Sequence, residues 1–207
     1  MNLLLVHGLW RTPLSFFLLI RRLRGWGYAT EQFGYAAVAQ RYDDIVSRLI
    51  HRVERLAGAG PYAVIGHSLG GVLLRSALPH VTGPLPRHFI MLGTPNRPPR
   101  LAQVLGVHWV YRRIMGECGV NLCSPQFYAS LPLPDVPYTI VAGTAGPRGR
   151  RSPFGDEPND GIVAVSETRI GDDDAIVVLP VTHTFMMNNA GVHEVIRCAL
   201  MRAREVA

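Results

Sequence analysis

The stretch PYAVIGHSLGGVLL, Pro61 to Leu74, decides the fold. Tyr62 to Ile65 reads as a buried strand. Gly66-His67-Ser68-Leu69-Gly70-Gly71 follows at once, and Val72, Leu73 and Leu74 open a helix-like apolar run. A strand that turns directly into a helix must bend hard, so the central residue takes a strained backbone conformation. Gly66 and Gly70 lack the side chains that would collide there. The Ser68 hydroxyl is then lifted clear at the C-terminal end of the sheet. The helix that follows aims its free N–H groups and positive dipole end at the same spot.

Outward from this point the chain alternates strand, turn and helix. Asn2 to Val6, the run from Tyr28, His88 to Leu92, Tyr138 to Gly143 and Ala175 to Pro180 read as five further strands. Thr12-Pro13 has the form of a helix start, a cap residue followed by proline, and predicts a helix to about Arg24. Ile45, Leu49, Val53 and Leu56 recur at helical spacing between Tyr42 and Ala57. Val192, Val195, Ile196, Ala199 and Leu200 do the same between about Gly191 and Arg204. Short strands that are apolar throughout and separated by helices predict a parallel sheet covered on both faces, the α/β class. One segment, 95–137, breaks the rhythm. It reads either as a cap or lid over a site or as an ordinary crossover helix with a long tail.

The totals agree with one domain spanning 1–207. Hydrophobic residues make up 48% of the chain and charged residues 17%, enough for a core and too little charge for disorder. The net charge is +6, carried by 21 basic residues that are all arginine. The arginine clusters, such as Arg112 with Arg113 or Arg148 with Arg150 and Arg151, are scattered and not interleaved with aromatics, which argues against nucleic acid. Transient contact with a membrane surface stays open. Cys118, Cys123 and Cys198 cannot make a disulfide framework, and the first two read as small buried residues rather than a pair. No apolar burst reaches the length of a membrane span. A cytoplasmic location is the expectation.

A lone serine is a poor nucleophile and needs a base, and the base needs an orienting acid. His183, in Val181-Thr182-His183, follows the last strand. Asp160, in Asn159-Asp160-Gly161, follows the fifth. Asp156 and Glu157 share that loop, but Asn159 and Gly161 give Asp160 turn chemistry, and an apolar run follows it. A tetrahedral intermediate also needs N–H donors. Leu69 at the helix start can supply one. Leu9 can supply another, because Gly8 lets the backbone turn inward. Trp109, Phe185, Met186 and Met187 are candidates to line a substrate pocket, with Trp10 and His67 beside them.

The segments LLLVHGLW, AVIGHSLGG, IMLGTPN, NDGIV and VTHTF, taken together and in this order, resemble a small bacterial α/β-hydrolase of the lipase/esterase type. The resemblance implies Ser68 as nucleophile, Asp160 as acid and His183 as base, with Leu9 and Leu69 as oxyanion donors. His7 belongs to its loop signature and is not a base. It also implies a minimal, mainly parallel sheet of six strands that lacks the two N-terminal strands of the full fold. The expected activity is cleavage of carboxylic esters, from small molecules or lipids, through an acyl-serine, with no metal or organic cofactor. A thioesterase, amidase or acyltransferase would use the same residues. A non-catalytic binding protein on a hydrolase frame is the contrasting reading.

Overall fold

The computed structural model describes residues 1–205. The side chains of Tyr111, Arg112 and Glu205 lie outside the described residues, so Tyr111 of the 95–137 segment and Arg112 of the arginine clusters are not placed. Six strands are present: β1 (Asn2–Val6), β2 (Ala29–Phe33), β3 (Tyr62–His67), β4 (Phe89–Leu92), β5 (Tyr138–Gly143) and β6 (Ile176–Leu179). They form one sheet in the order β2-β1-β3-β4-β5-β6, and every pairing is parallel. The helices are α1 (Phe17–Gly25), α2 (Tyr42–Gly58), α3 (Leu69–Ala77), α4 (Arg100–Gly106), α5 (Trp109–Asn121), α6 (Pro125–Ser130) and α7 (Ala190–Glu205).

Successive side chains of a strand point to opposite faces, and the core divides accordingly. Leu4, Val6 and Val64 pack with Ile45, Leu49 and Val53 of α2 and Val72 and Leu73 of α3. Leu3, Leu5, Ala63 and Ile65 pack on the other face with Leu19 and Leu23 of α1 and Val192, Ile196 and Leu200 of α7. Truncating one of these fully buried side chains, such as Ile45, to alanine would cost about 2–5 kcal/mol. The edge strands β2 and β6 depart from the expectation of strands buried on both faces. Most of their residues are partly exposed, because each has a neighbour on one side only.

Two further details differ from the sequence reading. The first helix opens as a 3₁₀ turn over Pro13–Phe16, and Thr12 makes no side-chain cap bond. The segment 95–137 holds three helices, α4, α5 and α6, rather than one crossover helix with a tail. Within α5, Gly116 breaks the helix at φ 64°. A Cβ there would also meet the Val38 backbone at 2.7 Å, so the kink is closely packed. Cys118 is buried, and the Cys123 thiol donates to the Ala102 carbonyl.

Parallel strands end at the same rim, so the loops after β1, β3, β4, β5 and β6 meet there. The order of connection reverses between β1 and β3, which opens a crevice at their C-terminal ends.

Candidate active site

Ser68 occupies that crevice. It links β3 to α3 with φ 53° and ψ −124°, a conformation that costs a non-glycine residue about 1–3 kcal/mol. The bend is held on both sides: the Ser68 N–H donates to the Leu92 carbonyl at 2.9 Å, and its carbonyl accepts from Gly71 at 3.0 Å. The flanking glycines are required by close approach. A Cβ on Gly66 would lie 2.5 Å from the Gly71 Cα, and one on Gly70 would lie 2.0 Å from the Val6 carbonyl oxygen.

Asp160 and His183 meet at the same rim. The His183 Nδ1–H donates to Asp160 Oδ2 at 2.7 Å. With Nδ1 committed to a carboxylate, the neutral ring carries its lone pair on Nε2. The other carboxylate oxygen, Oδ1, accepts from the backbone N–H groups of Ile162 at 2.9 Å and Val163 at 2.8 Å. Asn159 braces the loop by donating to the carbonyls of Pro147 and Glu157 and accepting from Gly161. The main chain of His183 is pinned as well. Its N–H donates to the Asp160 carbonyl at 2.9 Å, and its carbonyl accepts from His67 Nε2 at 3.0 Å. Gly93, at φ 55°, leaves room for the pair, since a Cβ there would lie 3.1 Å from His183 Nδ1 and 3.2 Å from Asp160 Oδ2. Asp156 is exposed, and Glu157 is engaged by Arg100 and Ser166 instead.

The loop after β1 closes on the serine from the other side. A Cβ on Gly8 would lie 2.9 Å from the Ser68 Cβ. The Arg11 N–H bonds back to the Gly8 carbonyl at 3.2 Å, and inside that turn Trp10 takes φ 56°. That value belongs to the left-handed region, where turns favour glycine. The turn sets Leu9 and Trp10 against the crevice. Leu69 is the first residue of α3, and N–H groups of a first helical turn have no intrahelical acceptor. Half-buried Tyr35 steadies the loop against buried His7. The Tyr35 hydroxyl donates to the His7 carbonyl at 2.5 Å, and its ring stacks on the His7 imidazole. Burial lowers the His7 pKa and, with His183 beside it, pushes that of His67 well down. His67 is therefore neutral and places no standing charge next to His183.

Ser68 and His183 open into one cavity of about 360 Å³, within the range of small-molecule sites. Leu9, Trp10 and His67 line it, as do Leu101, Ala102 and Leu105 of α4, Met115 of α5, and Ile162 and Val163 beside Asp160. The Trp10 indole N–H reaches Met115 Sδ at 2.9 Å and joins the two walls. Four expected pocket residues are elsewhere. Trp109 and Phe185 are exposed and outside the lining. Met186 is fully buried in the core beneath the site, with its methyl near Gly93 and Gly143, and Met187 shares that core. Adjacent residues of the 3₁₀ turn His183–Asn188 point apart, which separates Phe185 from Met186. The α4 wall was missed because its apolar residues carried no cue that told a wall from a core. Among the described residues no group of His, Cys, Asp and Glu could hold a metal ion.

The sheet order, the bend at Ser68 and the helices on both faces define the α/β-hydrolase fold. Comparison by sequence finds no matching family model and no matching curated protein. Comparison by structure finds hydrolases. The chain is similar to the phospholipase PlaB from Legionella pneumophila, with a TM-score of 0.59 and 17% identity over 82% of this chain and 46% of that one. It is similar to the RedJ thioesterase from the prodiginine biosynthetic pathway in Streptomyces coelicolor, with a TM-score of 0.61 and 18% identity over 98% and 85% of the two chains. It is also similar to an extracellular α/β-hydrolase from a Paenibacillus species, with a TM-score of 0.62 and 14% identity over 96% and 98%. The chain thus spans less than half the length of PlaB and most of the other two. At these identities the likeness is one of fold.

Proposed function

We propose that the chain is a serine hydrolase acting on carboxylic esters. One observation carries the reading: a strained serine shares a cavity with a histidine whose far nitrogen is bound to a buried carboxylate. In this reading Ser68 attacks the acyl carbonyl and His183 Nε2 takes its proton. Asp160 holds the imidazole in the tautomer that leaves Nε2 free and stabilises its charged form. The Leu9 and Leu69 N–H groups receive the oxyanion, a contribution worth about 3–4 kcal/mol per donor where it has been measured. The histidine then protonates the leaving alcohol. Water, activated by the same ring, releases the acid from the acyl-serine. The mainly apolar cavity suits an acyl chain better than a charged substrate.

Hydrolysis of p-nitrophenyl esters of increasing chain length tests this. Wild-type protein is expected to turn them over, and Ser68→Ala to be inactive yet folded. No turnover at any chain length by the wild type would contradict the proposal. A thioester would be cleaved by the same acyl-enzyme, and parallel assays on matched oxygen and sulfur esters separate the two.

A further inference from the structure

Soluble chains rarely leave large apolar side chains grouped in the open. Here Val104, Val107, Trp109, Val110 and Ile114, all on α4, α5 and the link between them, are exposed, and Trp10 is exposed beside them. The grouping is not scattered. Trp10 is tied to α5 through Met115, and α4 and α5 together wall the Ser68 cavity. None of the five packs into the core, and Trp109 does not line the cavity, so neither role explains them.

The segments around this surface carry more arginine than carboxylate. No carboxylate occurs anywhere between Glu54 and Glu117 in the sequence, a stretch that contains α4 and the first two turns of α5. Glu117 itself pairs with Arg41. Arg11, Arg113, Arg148, Arg150 and Arg151 lie in or beside the segments that leave this edge of the sheet, and none is in an ion pair among the described residues. Asp43, Asp44, Glu117 and Asp156 are exposed carboxylates in or beside the same segments. The chain as a whole carries +6.

We propose that the α4–α5 surface docks on an anionic bilayer. Apolar side chains inserted at the headgroup boundary, with arginines meeting anionic lipid, are the physical signature of a chain that lies on a membrane. Among the described residues no helix is long and apolar enough to cross one, so this contact rests on the interface. Docking there sets the mouth of the Ser68 cavity against the lipid surface. Docking by this surface requires no catalysis at Ser68.

Flotation with vesicles of ether-linked lipids tests the surface alone, because such lipids offer no carboxylic ester to cleave. Wild-type protein is expected to float with vesicles of mixed phosphatidylcholine and phosphatidylglycerol analogues at low salt, and to be released at high salt. It should float poorly with pure phosphatidylcholine analogue. The double variant Val107→Ser, Trp109→Ser should bind at least about tenfold more weakly. It should keep wild-type hydrolysis of a short, water-soluble ester, since it leaves the cavity lining intact. The proposal is overturned if wild-type protein stays at the bottom with anionic vesicles, if it binds neutral vesicles equally well, or if the double variant floats like the wild type. It is also overturned if sedimentation shows a stable dimer that the double variant dissolves, because the apolar face would then belong to a second copy.

Discussion

Replacing Asp160 with asparagine separates orientation from stability. The carboxylate makes three contacts: Oδ1 accepts from Ile162 and Val163, and Oδ2 accepts from His183 Nδ1. An asparagine can keep the first two only by placing its carbonyl oxygen at the Oδ1 position. Its NH₂ group then faces His183. Two donors cannot share that line, so the imidazole must give up the Nδ1 proton and carry its proton on Nε2 instead. The base is lost while the loop keeps its backbone bonds. In the serine-protease template this exchange lowers kcat by about 10⁴, or roughly 5.5 kcal/mol of barrier. The folded state should lose only about 1 kcal/mol. Asp160→Ala is different, since it strips the buried Val163 N–H of its acceptor and should cost about 1–3 kcal/mol of stability as well. Ester turnover with urea unfolding of both variants is the assay. Asp160→Asn activity within tenfold of wild type would refute the tautomer argument. Equal stability of the two variants would refute the role given to Oδ1.

Three other outcomes follow from the same geometry. Ser68→Gly removes the side chain that makes φ 53° costly, so unfolding should shift to higher denaturant by about 1 kcal/mol while activity disappears; a destabilised variant would deny the strain. Tyr35→Phe deletes the hydroxyl that holds the His7 carbonyl and should lower kcat about tenfold with KM nearly unchanged, because in the proposed mechanism the Leu9 N–H acts on the transition state; a change in KM alone would place Tyr35 in substrate binding instead. Burial, with Arg202 adding to it, lowers the His88 pKa to about 4. The unfolded chain therefore takes up that proton first as acid is added, and stability present above about pH 6.5 is lost down to about pH 4, on the order of 3 kcal/mol from this group. His88→Gln should show a shallower loss of stability by urea titration over that range, and an unchanged slope would contradict the assignment.

Much of the fold was legible because burial writes itself into composition. Five of the six strands were visible as apolar runs, β2 (ATEQF) as a short segment between turns, and α2 and α7 as periodic runs, within a residue or two of their ends. Ser68, Asp160 and His183 could be proposed together for a topological reason: each follows a strand, and parallel strands end at one rim. What stayed hidden depends on direction rather than on residue type. Met186 and Phe185 are neighbours of similar hydrophobicity, yet one is core and the other is exposed, since the sequence gives no angle for a 3₁₀ turn. The break within α5 rests on one glycine, Gly116, whose reason is contact with Val38, far away in the chain. The clasp of Tyr35 on His7 likewise joins residues with no local pattern between them.

The most direct measurement is a reaction with a fluorophosphonate, followed by intact mass and peptide mapping. Ser68 labels only if its oxygen is activated in the folded protein. A single adduct on Ser68, greatly slowed in His183→Ala and lost when the protein is unfolded beforehand, is the expected result. Folded wild-type protein that takes no adduct, or takes it on another residue, would contradict the account.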